Sequence, residues 1–217
     1  MPTIDLSHPI HDGMVTYPGL PAPELGVHLS REDSRSHYDE GFEFHIGCIS
    51  MLGNTGTYLD TPFHRFADGW DLADLSIDSV AAVPGLLLEG APTGPTGADV
   101  IAGRDVRGRA VLVRTGWDRH FGTERYGDSD HPHLAVELAE ALAAGGASLV
   151  GIDSVNIDGT ATGARPIHTV LLRAGIPIVE HLRGLEQLQD RDFTFTAVPA
   201  PVRGLGTFPV RAFATTG

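Results

Sequence analysis

Lysine is absent from this 217-residue chain, and all 15 basic residues are arginine. Without a lysine amine there is no Schiff-base chemistry and no lysine general base. Cysteine is almost as scarce: the lone Cys48 excludes an intramolecular disulfide and fits a reducing compartment. It falls on the apolar face of an alternating segment, so the expected role is a small buried hydrophobe. Positive charge is sparse against 28 acidic residues, and the net charge is -13 with no basic run. A cationic face for phosphates is therefore missing, which excludes nucleic acid as a partner. No apolar run approaches the roughly 20 residues that span a bilayer, so no membrane helix is expected. The opening residues, Met1 to His8, lack the basic and apolar regions of a secretory signal, and a cytoplasmic location is expected. There is no Gly-x-Ser-x-Gly elbow, which leaves Ser154 better read as a hydroxyl at a strand end than as a nucleophile. Nor is there a phosphate loop, because Gly94–Gly97 is followed by neither lysine nor helix.

What is present describes a mixed α/β chain. With 41% hydrophobic and 20% charged residues it can bury a sizeable core, and one domain over residues 1–217 is expected. Residues 42–48 alternate Phe42, Phe44, Ile46 and Cys48 against Glu43, His45 and Gly47, the period of a half-buried strand. On that pattern His45 either reaches a site or meets solvent. The runs Gly85–Leu88, Ala110–Arg114 and Leu149–Asp153 read as strands covered on both faces. Ile176–Glu180, Phe193–Val198 and Val210–Phe213 add more. A helix is expected over 133–144, where Leu134, Leu138 and Leu142 share a face and Gly145-Gly146 stops it. Its entry, His131-Pro132-His133, looks like a metal clip but reads better as a cap region. A short helix is expected over His168–Arg173, entered through Arg165-Pro166, and Gly90–Gly103 reads as a surface loop.

The chemistry concentrates in Gly53-Asn54-Thr55-Gly56-Thr57-Tyr58-Leu59-Asp60-Thr61-Pro62-Phe63-His64. A carboxylate that can bind a metal or orient a base stands four residues before an imidazole, a group that moves protons near neutral pH. A tight turn with a surface histidine is the plainer reading of this stretch alone. Three later segments add polar groups at strand ends: Gly151-Ile152-Asp153-Ser154-Val155-Asn156-Ile157-Asp158, Arg165-Pro166-Ile167-His168 and Ile176-Pro177-Ile178-Val179-Glu180-His181. A helix followed by a turn at Gly175 would carry the chain out and back, so His168 and Glu180 can converge.

Together these segments resemble the cyclase family, which includes bacterial kynurenine formamidases and isatin hydrolase. Its signature, His-x-Gly-Thr-His-x-Asp-x-Pro-x-His, reads here from Asn54 to His64, with Gly56, Thr57, Asp60, Pro62 and His64 in frame. Met14–Gly19, Arg114–Trp117, the Gly-Ile-Asp-Ser strand end and the His168/Glu180 pair extend the resemblance over nearly the whole chain. Asn54 and Tyr58 stand where the family carries two metal-binding histidines.

The resemblance implies a swivelling β/β/α fold, with mixed sheets and flanking helices, and at least a homodimer or higher homo-oligomer. It implies a hydrolase that opens an amide, lactam or lactone-type carbonyl of a small planar molecule by water attack. His64 would be the acid/base group, Asp60 its partner or a metal ligand, and Tyr58 and Asn54 donors to the oxyanion. Asp60, His168 and Glu180 would hold one divalent metal, zinc or manganese, and a metal-free state remains equally open. Tyr17 and Trp117 would wall the substrate, with core packing the plainer role for both. Two other readings stand beside this one: a metal-free lyase, dehydratase or cyclase using His64 and Tyr58, and a binding protein that has lost its chemistry. The C-terminal Phe208–Phe213 is apolar enough to pack on its own subunit or on a neighbour.

Overall fold

A computed structural model describes every residue from Met1 to Gly217. Its backbone is organised around four parallel strands: β5 (Val83–Glu89), β7 (Ala110–Arg114), β9 (Leu149–Ile152) and β10 (Ile178–Glu180). Residues 110–113 and 149–152 are wholly buried, as continuous apolar runs in a two-faced parallel sheet require. Antiparallel strands extend the sheet at both ends. On one side lie β11 (Phe193–Thr196), β13 (Phe213–Thr216) and β1 (Thr3–Asp5); on the other lie β4 (Tyr58–Asp60) and β12 (Thr207–Pro209). The result is a nine-stranded mixed sheet.

Strand alternation divides the interior in two. Ala110, Leu112, Leu149 and Val179 face one cluster together with Leu59 from β4 and Phe195 and Ala214 from the opposite end of the sheet. Residues from both ends meet in that single cluster, so the sheet is curled around it. Val111, Val113, Val150, Ile152 and Ile178 face the other way, onto α2 (Val136–Gly145) and α3 (Pro166–Arg173). Leu134, Leu138 and Leu142 share that cluster. Gly146 ends α2 at φ 76°, a left-handed conformation that costs glycine nothing. No helix is long and apolar enough to cross a membrane.

Several sequence expectations need correction. Helix α2 starts at Val136, because His133–Leu134 form a short strand, β8, paired with β6 (Pro95–Thr96) inside the supposed loop. The expected strand over 210–213 is replaced by β12 before it and by β13, which starts only at Phe213; Val210 and Ala212 are buried in the chain's own core. Strand β4 itself went unseen, since three residues are too few to show a period.

The largest departure is at 42–48. The strand β3 runs Ile46–Ser50 and pairs only with β2 (Glu24–Leu29), with a register shift between Val27 and Leu29 and the short helix α1 (Arg31–Ser34) in the connection. Leu25, Val27, Phe42, Phe44, Ile46 and Ile49 are all exposed, and so are Cys48 and His45. The alternating pattern is real, but this chain supplies nothing to cover its apolar face. Cys48 is accordingly not the buried hydrophobe its pattern suggested.

Candidate active site

Beyond the helix-covered face, β10, β4 and β12 lie side by side, and their register sets the site. Tyr58 and Asp60 stand opposite Glu180 and Ile178 on β10, and Asp60 stands opposite Thr207 on β12. Leu59 points into the core, so the period of two sends Tyr58 and Asp60 to the same side. After Asp60 the chain turns through Pro62–His64, with Pro62 at the first position of a short 3-10 helix, where a missing N–H costs nothing. Thr61 anchors this turn through its N–H and hydroxyl, which both donate to the Gly206 carbonyl. Gly206 packs directly on the His64 backbone, where a Cβ would collide.

His64 is held from behind. Thr207 Oγ1 makes a very short hydrogen bond to Asp60 Oδ1 and lies 2.8 Å from His64 Nδ1. If the hydroxyl donates to the carboxylate, it accepts from Nδ1–H, and the ring keeps Nε2 unprotonated toward the cavity. Asp60 Oδ1 lies 3.7 Å from the same ring nitrogen. The second oxygen, Asp60 Oδ2, is buried without any hydrogen-bond partner. Burial pushes the Asp60 carboxyl up, but the His64 and His168 rings and the Thr207 hydroxyl outweigh it and hold it below the usual range.

The first turn of α3 brings His168 to Asp60. Asp158 caps that helix, accepting from the N–H of Ile167 (2.7 Å) and of His168 (3.0 Å), and takes His168 Nδ1–H at 2.6 Å. His168 Nε2 then lies 3.7 Å from Asp60 Oδ2 and 3.8 Å from Glu180 Oε1, too far for a hydrogen bond to either. Burial pulls this ring's pKa down, yet the surrounding carboxylates, Asp158 foremost, push it to about 10. Glu180 is buried and accepts from Tyr58 Oη (2.6 Å) and Ile157 N–H (2.6 Å). Burial, with the nearby Asp60 charge, raises its pKa to about 7 against the pull of His168.

Two buried carboxylates, one of them with an orphaned oxygen, thus meet a histidine nitrogen that makes no hydrogen bond within the protein. This donor set fits a divalent cation of the zinc or manganese type. Asp60, His64 and His168 offer atoms within 4.8 Å of one another, and Glu180 stands beside His168. His168 donating its other N–H to Asp158 is the arrangement that orients metal-binding imidazoles.

The cavity over these groups holds about 320 Å³, in the range of small-molecule sites. Tyr17, Asn54, Tyr58, His64, His168 and Glu180 line it, so most of the sequence-derived candidates gather here. Two roles change. Trp117 does not reach the cavity: it is buried with Tyr126 and Val155, its indole N–H bonded to the Tyr126 carbonyl. Tyr58 is 2% exposed, and its single proton goes to Glu180, so it positions that carboxylate rather than donating to an oxyanion. Asn156 also lines the cavity; its Oδ1 accepts from Asp158 N–H, which leaves the amide N–H₂ as a donor. Thr207 was invisible in the sequence, since nothing marks a threonine 147 residues from the aspartate it serves. His131, the supposed clip, is buried against Ser154 and Thr160, and Ser154 is equally inaccessible.

Behind Tyr58 lies His181, fully buried, with Nδ1 2.8 Å from Tyr126 Oη and Nε2 3.3 Å from Tyr58 Oη. Desolvation lowers its pKa from the ordinary 6.5 to about 3. The folded state therefore refuses a proton that the unfolded chain accepts, and the stability His181 contributes is lost as pH falls from 6.5 toward 3. Each pH unit in that window costs about 1.4 kcal/mol. Asp153, raised by burial to about 6, titrates in the opposite sense over part of it. The stability gap between wild type and His181→Gln isolates the histidine: it should narrow steadily from pH 6.5 to 4.5 in thermal melts. A gap independent of pH would show that His181 titrates normally.

The chain is similar to known proteins along most of its length. The Cyclase family model, described as "Putative cyclase", matches residues 4–159. Kynurenine formamidase of Bacillus cytotoxicus is 29% identical over 210 residues, covering 96% of this chain and 95% of that protein. A solved structure described as a potential metal-dependent hydrolase with cyclase activity superposes with a TM-score of 0.75 at 25% identity, covering 98% of both chains. Isatin hydrolase A of Labrenzia aggregata, solved with benzyl benzoate, gives a TM-score of 0.82 over 98% of this chain and 93% of its own. At 20% identity that last likeness is one of fold.

Proposed function

Since this chain belongs to the Cyclase family and is a hydrolase of that family, we propose that it opens an amide or lactam bond of a small, ring-bearing molecule by attack of water. The supporting observation is the Asp60–Thr207–His64 chain, which leaves one imidazole nitrogen free beside a small-molecule cavity. In this reading His64 Nε2 takes a proton from water as the oxygen bonds to the carbonyl carbon. Asp60, 3.7 Å away, stabilises the imidazolium. As the C–N bond breaks, His64 returns the proton to the leaving nitrogen. The Asn156 amide, aimed by its bond to Asp158 N–H, and Asn54 donate to the oxyanion.

Asp60, His168 and Glu180 would hold the divalent cation, which when bound polarises the carbonyl and lowers the pKa of water. Glu180 serves as third donor because each carboxylate oxygen has a lone pair beyond those used by Tyr58 and Ile157. His64 then stays free for proton transfer. Purified protein offered N-formylated arylamines and fused-ring lactams, with and without chelator, tests the reading. Release of amine or ring-opened acid from one class is expected. Inertness toward both, in protein shown to contain metal, would discard it.

The exposed hairpin β2–β3 bears on assembly. An isolated two-stranded hairpin is marginally stable in water, and this one shows apolar side chains along its length. We infer that a second copy of the chain covers it, in at least a homodimer. Light scattering should return two or more chain masses, and Val27→Asp with Phe44→Asp should lower the assembly state. A wild-type monomer at micromolar concentration would refute this.

A further inference from the structure

Two arginines also line the cavity. Arg65 follows His64 directly, and Arg165 immediately precedes α3. Six of the 15 arginines, Arg35, Arg114, Arg125, Arg173, Arg203 and Arg211, lie within ion-pair distance of a carboxylate. Arg65 and Arg165 are not among them.

Both guanidinium groups are nevertheless held in place. Arg165 donates from one terminal nitrogen to the carbonyls of Ala164 (2.7 Å) and Thr162 (2.8 Å), with Gly159 at 3.5 Å. Its Nε and second terminal nitrogen remain free. Arg65 Nε–H donates to Thr169 Oγ1 at 3.3 Å, and that hydroxyl donates to the Arg165 carbonyl at 2.7 Å. One helical turn therefore ties the two arginines to the same rim. Carbonyl contacts fix a guanidinium without neutralising it, so a fork is preformed for a planar anion.

The cavity is thus polar from end to end. At the reacting end Asp60 and Glu180 surround the His168 ring, and the two arginines add positive charge to the outer wall of the cavity. We propose that the substrate carries a carboxylate beside its scissile amide or lactam, bound by Arg165 and Arg65 at the rim so that the carbonyl turns toward His64. This rests on the hydrolase reading for the word "substrate", but the anion site itself does not.

Binding separates the two. Benzoate and benzamide, matched in shape, are titrated into chelator-treated protein so that no metal draws the carboxylate. Wild type should bind benzoate at least tenfold more tightly than benzamide. Arg165→Gln should erase that preference and Arg65→Gln should reduce it several-fold, with benzamide affinity unchanged in both. Arg165→Lys, which keeps the charge and loses the fork, should fall between and guards against misfolding of the glutamine variant. Equal binding of the two probes by wild type, or a preference untouched by the variants, overturns the proposal. Turnover of N-formylanthranilate against formanilide supplies the second arm. Benzoate preference with neither compound cleaved supports the anion site and counts against the hydrolase. Cleavage of both at equal kcat/KM, without benzoate preference, keeps the hydrolase and rejects the anion site.

Discussion

His64→Gln is expected to lower kcat by about 10²- to 10⁴-fold, the span of a positioned acid/base group, while metal content and melting temperature stay near wild type. The side chain is 35% exposed and its one protein hydrogen bond is to Thr207, so little packing depends on it. Glutamine can still reach the Thr207 hydroxyl but cannot cycle a proton. Thr207→Val, which cuts the link between Asp60 and His64, should cost part of the same factor without changing KM. Metal analysis alongside single-turnover kinetics makes the result decisive. A variant that retains more than a tenth of the wild-type rate ends the role of His64 as base. A variant that loses its metal instead makes His64 a ligand, as its place within 4.8 Å of Asp60 and His168 would also allow.

Why the sequence revealed part of this site and hid the rest has a physical basis. Asp60 ends β4 and His64 follows four residues on, across one short turn, where local spacing carries geometry. His168 and Glu180 lie on a helix and the strand that follows, and α3 and β10 fold back much as their spacing suggested. Thr207 and Arg65 had no such signal. Thr207 reaches Asp60 only through the antiparallel register of β4 and β12, and Arg65 acquires meaning only beside Arg165. Trp117 shows the opposite failure: its neighbours in sequence matched a family segment, yet the ring turns into a small buried cluster with Tyr126. The central strands were legible because continuous apolar runs leave a parallel sheet few alternatives. The hairpin at 24–50 misled because alternation tells which side chains share a face, not what covers that face.

Metal uptake carries the second large effect. His168→Gln and Glu180→Gln should each abolish stoichiometric binding of zinc or manganese by the purified protein, measured by calorimetry and elemental analysis. Each removes one of three donors, and three is the fewest that hold such an ion at an open catalytic site. Asp60→Asn should do the same, because its unpartnered Oδ2 is the one buried oxygen in the site with nothing else to satisfy it. Asp158→Asn should weaken binding about 10- to 100-fold rather than abolish it, since Asp158 orients the His168 ring without facing the ion. Tyr58→Phe is the control: it releases one hydrogen bond on Glu180 and should lower turnover while the metal remains. The converse construction, Asn54→His with Tyr58→His, adds two imidazoles where the family carries them and should tighten binding if the loop before β4 keeps its course. The signs differ enough to be read separately. If Glu180→Gln keeps its metal and His64→Gln loses it, the donor set is Asp60, His64 and His168, and the proton must then move through another group. Should neither wild type nor any of these variants bind an ion, Asp60 and Glu180 are balanced by the His168 imidazolium alone, in keeping with a ring whose pKa stands at about 10.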